Sequence, residues 1–165
     1  MTVAFFSGKA RRAGVALGAA SAGLIVLSAC GWSKPTPIAT VTVGSDSYNT
    51  EAAENCYAED GLKESRFQEC ISAKGGKAVK VSVDDRIRFG VDPEVAENGW
   101  MIYLDGEPAE QEPYTKTYRT IGASSFFAGP PMGGQAPGSI RVSLVETDPK
   151  TKKKIGVYRF LLEKV

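Results

Sequence analysis

From Ile38 to the C-terminus the chain repeats one pattern: short runs with every second residue apolar, separated by clusters of Gly, Asp, Asn and Pro. Alternation at period two places one side of an extended chain in a core and the other in water. Ile38–Val43 (Ile-Ala-Thr-Val-Thr-Val) is the first such run and Gly44–Thr50 reads as a turn. Val79, Val81 and Val83 alternate with Lys80 and Ser82. After Asp84-Asp85, Ile87, Phe89 and Val91 alternate with Arg86, Arg88 and Gly90, so these two runs predict a hairpin with one apolar face. Asp92–Gly99 reads as a polar connection. Trp100, Ile102 and Leu104 alternate with Met101 and Tyr103, and Asp105-Gly106 is a strong turn signal. Tyr114–Ile121 predicts a further strand and Ser124–Ala128 a short one. Ile140, Val142 and Leu144 define another, Asp148–Lys154 a polar turn, and Ile155–Lys164 the last strand. About seven strands at roughly ten-residue spacing predict an all-β fold, an antiparallel β-sandwich of immunoglobulin-like or cupredoxin-like form.

One stretch breaks the pattern. Within Glu51–Ala73, Phe67, Cys70 and Ile71 have helical spacing and Gly75-Gly76 would stop a helix, whereas Glu51–Asp60 suits a short helix or an irregular strand. With Cys56 and Cys70 inside it, this stretch is expected to be a partly helical insert stapled by a disulfide, to itself or to the sheet edge.

The N-terminal residues follow a different logic. Lys9, Arg11 and Arg12 form a cationic start, Ala13–Ala29 is uncharged and mostly apolar, and small residues precede Cys30. That is the layout of a secretory signal. The apolar stretch is short and Gly-rich against the roughly 20 apolar residues of a membrane span. Leu27-Ser28-Ala29-Cys30 resembles the lipobox of bacterial lipoproteins. The resemblance implies a diacylglyceryl thioether on Cys30, cleavage between Ala29 and Cys30, and anchorage in the lipid bilayer at the extracytoplasmic face of the cell membrane. Two acyl chains suffice for stable anchoring where one does not. The expected organisation is therefore a signal peptide over residues 1–29, a lipidated tether over 30–37 and a single sandwich domain over 38–165. Gly31–Pro37 carries two prolines and no apolar period, and seven extended residues reach about 23 Å.

Charge and composition narrow the functional classes. The signal holds three of the twenty basic residues and none of the nineteen acidic ones, leaving seventeen against nineteen and a mature charge of −2. Such a domain offers no general electrostatic attraction for nucleic acid. The chain has no histidine, which removes Ser-His-Asp and Cys-His nucleophile systems and imidazole ligation of metals. Of three cysteines, lipidation takes Cys30 and leaves Cys56 and Cys70 to pair in an oxidising space.

Other segments bear on binding. Gly129–Gly138 (Gly-Pro-Pro-Met-Gly-Gly-Gln-Ala-Pro-Gly) is a loop able to carry a binding role. Lys150, Lys152, Lys153 and Lys154 make a basic turn that could meet anionic head groups or acidic polymers. Asp92, Glu94, Glu97 and Asn98 are oxygen donors in one connection, without the spacing of a calcium loop. Trp100 sits on the apolar phase of its strand and reads as core; Tyr48, Tyr57, Tyr114 and Tyr118 define no pattern. Gly122-Ala123-Ser124-Ser125-Phe126 lacks the closing glycine of a nucleophile elbow, and Gly75-Gly76-Lys77 is no phosphate loop.

The opening Met1–Arg12, the lipobox, Ala39-Thr40-Val41-Thr42-Val43, Arg88-Phe89-Gly90-Val91-Asp92-Pro93-Glu94 and Asn98-Gly99-Trp100 together resemble an actinomycete lipoprotein family, domain of unknown function 2771. The resemblance implies the anchor and brings no catalytic residue, cofactor or ligand. The expectation is a non-enzymatic, membrane-anchored binding or accessory module for an envelope protein or polymer, with no cofactor. The alternatives are a small-ligand or metal carrier of cupredoxin-like shape without a histidine copper site, and a carboxylate-dependent wall hydrolase. The intact mass of the native protein tests the cysteine assignments together. It should equal residues 30–165 plus a diacylglyceryl group and rise by two hydrogens on reduction; an unlipidated mass, or one insensitive to reductant, excludes the corresponding assignment.

Overall fold

The alternating runs form two layers. The computed structural model describes residues 36–129 and 135–165; the signal peptide, Cys30 and tether residues 31–35 lie outside them. The elements, in order, are β1 (Ile38–Val43), β2 (Asp46–Glu51), α1 (Glu64–Ser72), β3 (Lys77–Val81), β4 (Arg86–Val91), α2 (Pro93–Asn98), β5 (Trp100–Leu104), β6 (Glu107–Pro108), β7 (Tyr118–Gly122), β8 (Ser139–Thr147) and β9 (Lys154–Lys164). One sheet has the order β2-β1-β4-β7 and the other β3-β9-β8-β5-β6. Ala39, Val41, Ile87 and Phe89 of the first share a buried core with Val79, Ile102, Val142, Leu144, Phe160 and Leu162 of the second. The fold is an all-β sandwich with a small helical insert.

The five-stranded sheet also has an apolar outer face. There Met101, Tyr103, Val145 and Val157 pack against Phe67, Cys70 and Ile71 of α1 and against Cys56. The helix presents that stripe because positions 67, 70 and 71 fall on one side of a 3.6-residue period. The Cys56–Cys70 disulfide, with Cα atoms 5.8 Å apart, ties the helix to the preceding loop. That loop is itself bonded to the sheet: Ala53 N–H donates to the Val157 carbonyl at 3.3 Å, Val157 N–H to Cys56 at 3.0 Å, and Ala58 N–H to Ile155 at 2.9 Å. Residues 53–58 thus act as an irregular strand along the first half of β9, while β3 pairs with Phe160–Lys164 further on.

Several sequence expectations need correction. The runs 79–83 and 87–91 do not form a hairpin. β3 lies parallel to β9 in one sheet, and β4 lies between β1 and β7 in the other. Their apolar faces meet across the core instead of side by side, and the turn between them crosses from layer to layer, with Ser82 N–H bonded to Asp85 Oδ2 at 2.7 Å. Val83, in that crossing, is exposed. Residues 46–51 are an edge strand, not a turn. Gly44, at φ 59°, makes the reversal, and β2 is held by its ladder to β1. Asp92–Gly99 contains helix α2, opened by Pro93 and burying Val95 and Ala96. Ser124–Ala128 is not a strand. A 3-10 turn at Ala123–Ser125 leads to Phe126 and Phe127, both buried.

Two variants probe this packing. Cys56→Ser with Cys70→Ser should cost about 3 kcal/mol, the loop-closure value for about 15 residues. Amide exchange should rise first at 53–72, while β1 and β4 keep their protection. Phe160→Ala should cost about 3–5 kcal/mol in urea unfolding and loosen both layers.

Candidate functional site

The two outer faces of the sandwich differ in kind. The insert covers that of the five-stranded sheet, whereas no element packs on that of the four-stranded sheet among the described residues. Register sets what the bare face presents. Asn49, Thr40, Gly90 and Tyr118 lie in one row across the strands; Ser47, Thr42, Arg88 and Thr120 lie in the next; Arg86 pairs with Gly122 beyond them. Thr40 donates to Asn49 Oδ1 at 2.9 Å, and the hydroxyls of Thr42 and Ser47 are 3.0 Å apart. The Arg88 guanidinium lies over the Tyr118 ring, 5.1 Å from its centroid. Tyr118 is 56% exposed. At one end of this face a cavity of about 430 Å³ is lined by Thr42, Gly44, Asp84, Asp85, Arg86, Arg88 and Thr120. The chain enters β1 at Ile38, so the cavity, at Thr42 and Gly44, lies at that strand's other end.

The residues singled out in the sequence disperse. Asp92 accepts from Ile38 N–H at 2.9 Å, and Asn98 donates to Glu146 Oε1 at 2.6 Å. Both therefore fasten α2 to its neighbours. No group of three His, Cys, Asp or Glu side chains among the described residues is placed to hold a metal ion. Trp100 is fully buried, its Nε1–H donating to the Lys116 carbonyl at 2.8 Å, its ring edge-on to Tyr114.

The basic turn is divided. Lys153 Nζ reaches back to the Asp60 carbonyl at 3.2 Å. Lys154 is half-buried in the insert contact, 3.3 Å from Thr147 Oγ1 and 5.9 and 5.7 Å from the Phe67 and Tyr103 rings. Burial lowers its pKa, the Glu64 carboxylate opposing this and Lys152 adding to it. Lys150 and Lys152 point to water. Asp148 accepts the Lys150 and Thr151 N–H groups at 2.8 Å each, and these bonds hold its carboxyl below the ordinary range. The Gly129–Gly138 segment, of which 130–134 lie outside the described residues, leads into β8 at Ser139. The lysine turn leaves β8 at Thr147, so the two sit at opposite ends of that strand.

Two features were missed in the sequence. Glu146 is fully buried and accepts from Asn98 and, at 3.3 Å, from the Tyr158 hydroxyl. A signal existed: Ile140, Val142 and Leu144 set an inward phase that continues to residue 146. Burial raises the Tyr158 phenol far above its ordinary 10.0, and the Glu146 charge adds to this. The second is a cavity of about 150 Å³ at the open side of the sandwich, lined by Ile102, Leu104, Ala109, Ile121, Ser125 and Phe126 with the Glu110–Arg119 ion pair. Its residues come from β5, β7 and the connections beside them, which no linear pattern joins.

No protein-family model matches the chain, and no curated protein matches it. Among solved structures the chain is similar to one from the fibronectin(III)-like modules of Clostridium thermocellum CbhA. The TM-score is 0.36 at 8% identity, over 56% of this chain and 91% of that one.

The buried phenol carries a pH signature. A phenol whose pKa rises on folding adds stability that is complete below its ordinary value and is lost as pH rises past it. Tyr103, raised by burial and by Glu64 and Glu107, acts in the same direction, and Lys154 in the opposite one. Between about pH 9 and 11 the wild-type unfolding free energy should therefore fall more steeply than that of Tyr158→Phe. Parallel urea titrations of the two proteins across this range give the comparison.

Proposed function

We propose that this chain is a lipid-anchored extracytoplasmic protein whose sandwich acts as a non-enzymatic binding module at the cell envelope, using the bare face of the four-stranded sheet. The observation that carries the reading is the asymmetry of the two outer faces: α1 and its disulfide cover one, and the other faces water with Arg86, Arg88, Tyr118 and rows of hydroxyl and amide groups. The lipobox at Leu27–Cys30 supports diacylglyceryl attachment at Cys30, and the resemblance to actinomycete lipoproteins belongs to the same reading. A tether of seven residues holds the module near the membrane. A binding role suits a rigid sheet whose side chains sit at fixed spacings and lose little freedom when a partner docks.

Site-specific photocrosslinking in intact cells tests this. A crosslinker at Thr120, on the bare face, should capture an envelope component. One at Gln68, on the exposed side of α1, should not. Equal capture from both sites, or none from Thr120, overturns the assignment of the face. Cys30→Ala should move the protein out of the membrane fraction; retention there overturns the anchor.

A further inference from the structure

We propose that the bare face binds an anionic glycan, a sugar polymer bearing carboxylate or phosphate groups. This rests on the reading above for the choice of face and adds the chemistry of the partner. The charge comes first. Arg86 and Arg88 are both exposed, two positions apart on β4, and so about 7 Å from each other on the same side of the sheet. Neither has a carboxylate within ion-pair distance among the described residues. Two nearby acids do not change this. The Asp85 carboxylate is bonded to Ser82 N–H, and Asp84 and Asp85 line the cavity with the two arginines without pairing to them. Asp46 and Glu51 are on β2, the far edge of the sheet. Arg86 and Arg88 therefore offer two guanidinium groups without an ion-pair partner at the end of the face where the cavity lies. Guanidinium groups pair with carboxylate and phosphate through two parallel hydrogen bonds, a geometry that exposed lysines do not supply.

The rest of the face matches a sugar better than a lipid surface or a polyanionic peptide. Tyr118 is the aromatic ring exposed there, already braced by Arg88 at 5.1 Å. A braced ring offers a flat platform for the C–H face of a sugar. Gly90 and Gly122, in register with Tyr118 and Arg86, keep the surface low beside both. Hydroxyl and amide groups of β1 and β2 can donate to and accept from sugar hydroxyls. Among the described residues Tyr118 is the one large hydrophobic side chain exposed on this face, which leaves no apolar patch for acyl chains. Three strand spacings give a flat track about 14 Å wide, suited to an extended polymer.

The test uses the full-length protein, extracted from membranes in detergent and immobilised for binding measurements. The probes are polygalacturonate, its fully methyl-esterified form, phosphorylated dextran, plain dextran, polyglutamate and phosphatidylglycerol vesicles. The two anionic glycans should bind, with the neutral forms at least about tenfold weaker. Arg86→Gln with Arg88→Gln should lower anionic glycan binding at least about tenfold, and 0.5 M salt on the wild type should have the same direction of effect. Tyr118→Ala should weaken glycan binding several-fold without changing that of polyglutamate, and Tyr118→Phe should retain it. Equal binding of neutral and anionic glycans, insensitivity to both the arginine substitutions and salt, or tighter binding of polyglutamate or vesicles overturns the proposal. Failure of every glycan while Thr120 still crosslinks in cells overturns the partner class alone, leaving the assignment of the face intact.

Discussion

The five-stranded sheet is apolar on both faces, and the rest of the structure answers that constraint. A sheet with two apolar faces needs a layer on each side. The four-stranded sheet supplies one. The other is too small a task for a third sheet, and a nine-residue helix tied by a single disulfide meets it. Phe67 meets Tyr103 edge-on with centroids 5.8 Å apart, and Lys154 lays its ammonium beside both rings. The lysine turn, which in sequence looks like a uniform basic surface, therefore divides its labour. Lys153 and Lys154 hold the insert, and only Lys150 and Lys152 face solvent freely.

A second constraint sits inside. β8 carries Glu146 into the interior, and a buried carboxylate must find donors. Asn98 and Tyr158 provide them. The outcome is that α2 is pinned at both ends: Asn98 at Glu146, and Asp92 at the start of β1. Residues that resemble oxygen ligands in sequence are consumed in fixing a connection. This lock also fixes the first strand of the sheet that carries the bare face, so its rows keep their register.

Much of this was legible in the residues. Strict alternation in Thr40–Val43 and Arg86–Val91 already says that one side of those strands meets water. The helical spacing of Phe67, Cys70 and Ile71 and the pairing of Cys56 with Cys70 were likewise visible. Trp100–Leu104 reads as an alternating strand with one inward side, whereas the structure buries Met101 and Tyr103 of its other side beneath the insert. The hairpin expected at 79–91 was not what forms, because period-two alternation reports which side of a strand is buried and not which strand lies beside it. β2 escaped notice because Asp-Ser-Tyr-Asn-Thr-Glu has no apolar phase; it is held by its ladder to β1, by the Thr40–Asn49 and Thr42–Ser47 side-chain bonds and by Tyr48 against the core.

Sequence alone determined the class of fold, the stapled insert and the residue types available for chemistry, since these depend on local periodicity and composition. Tertiary structure decided which strands are neighbours, and through that everything about the site. Arg86, Arg88, Tyr118, Thr40 and Thr42 come from three strands spread over some eighty residues, and the spacing of their side chains is set by ladder register. Register depends on how two layers pack and on which edge each crossing connection reaches. Those are long-range contacts, which a linear pattern constrains but does not contain.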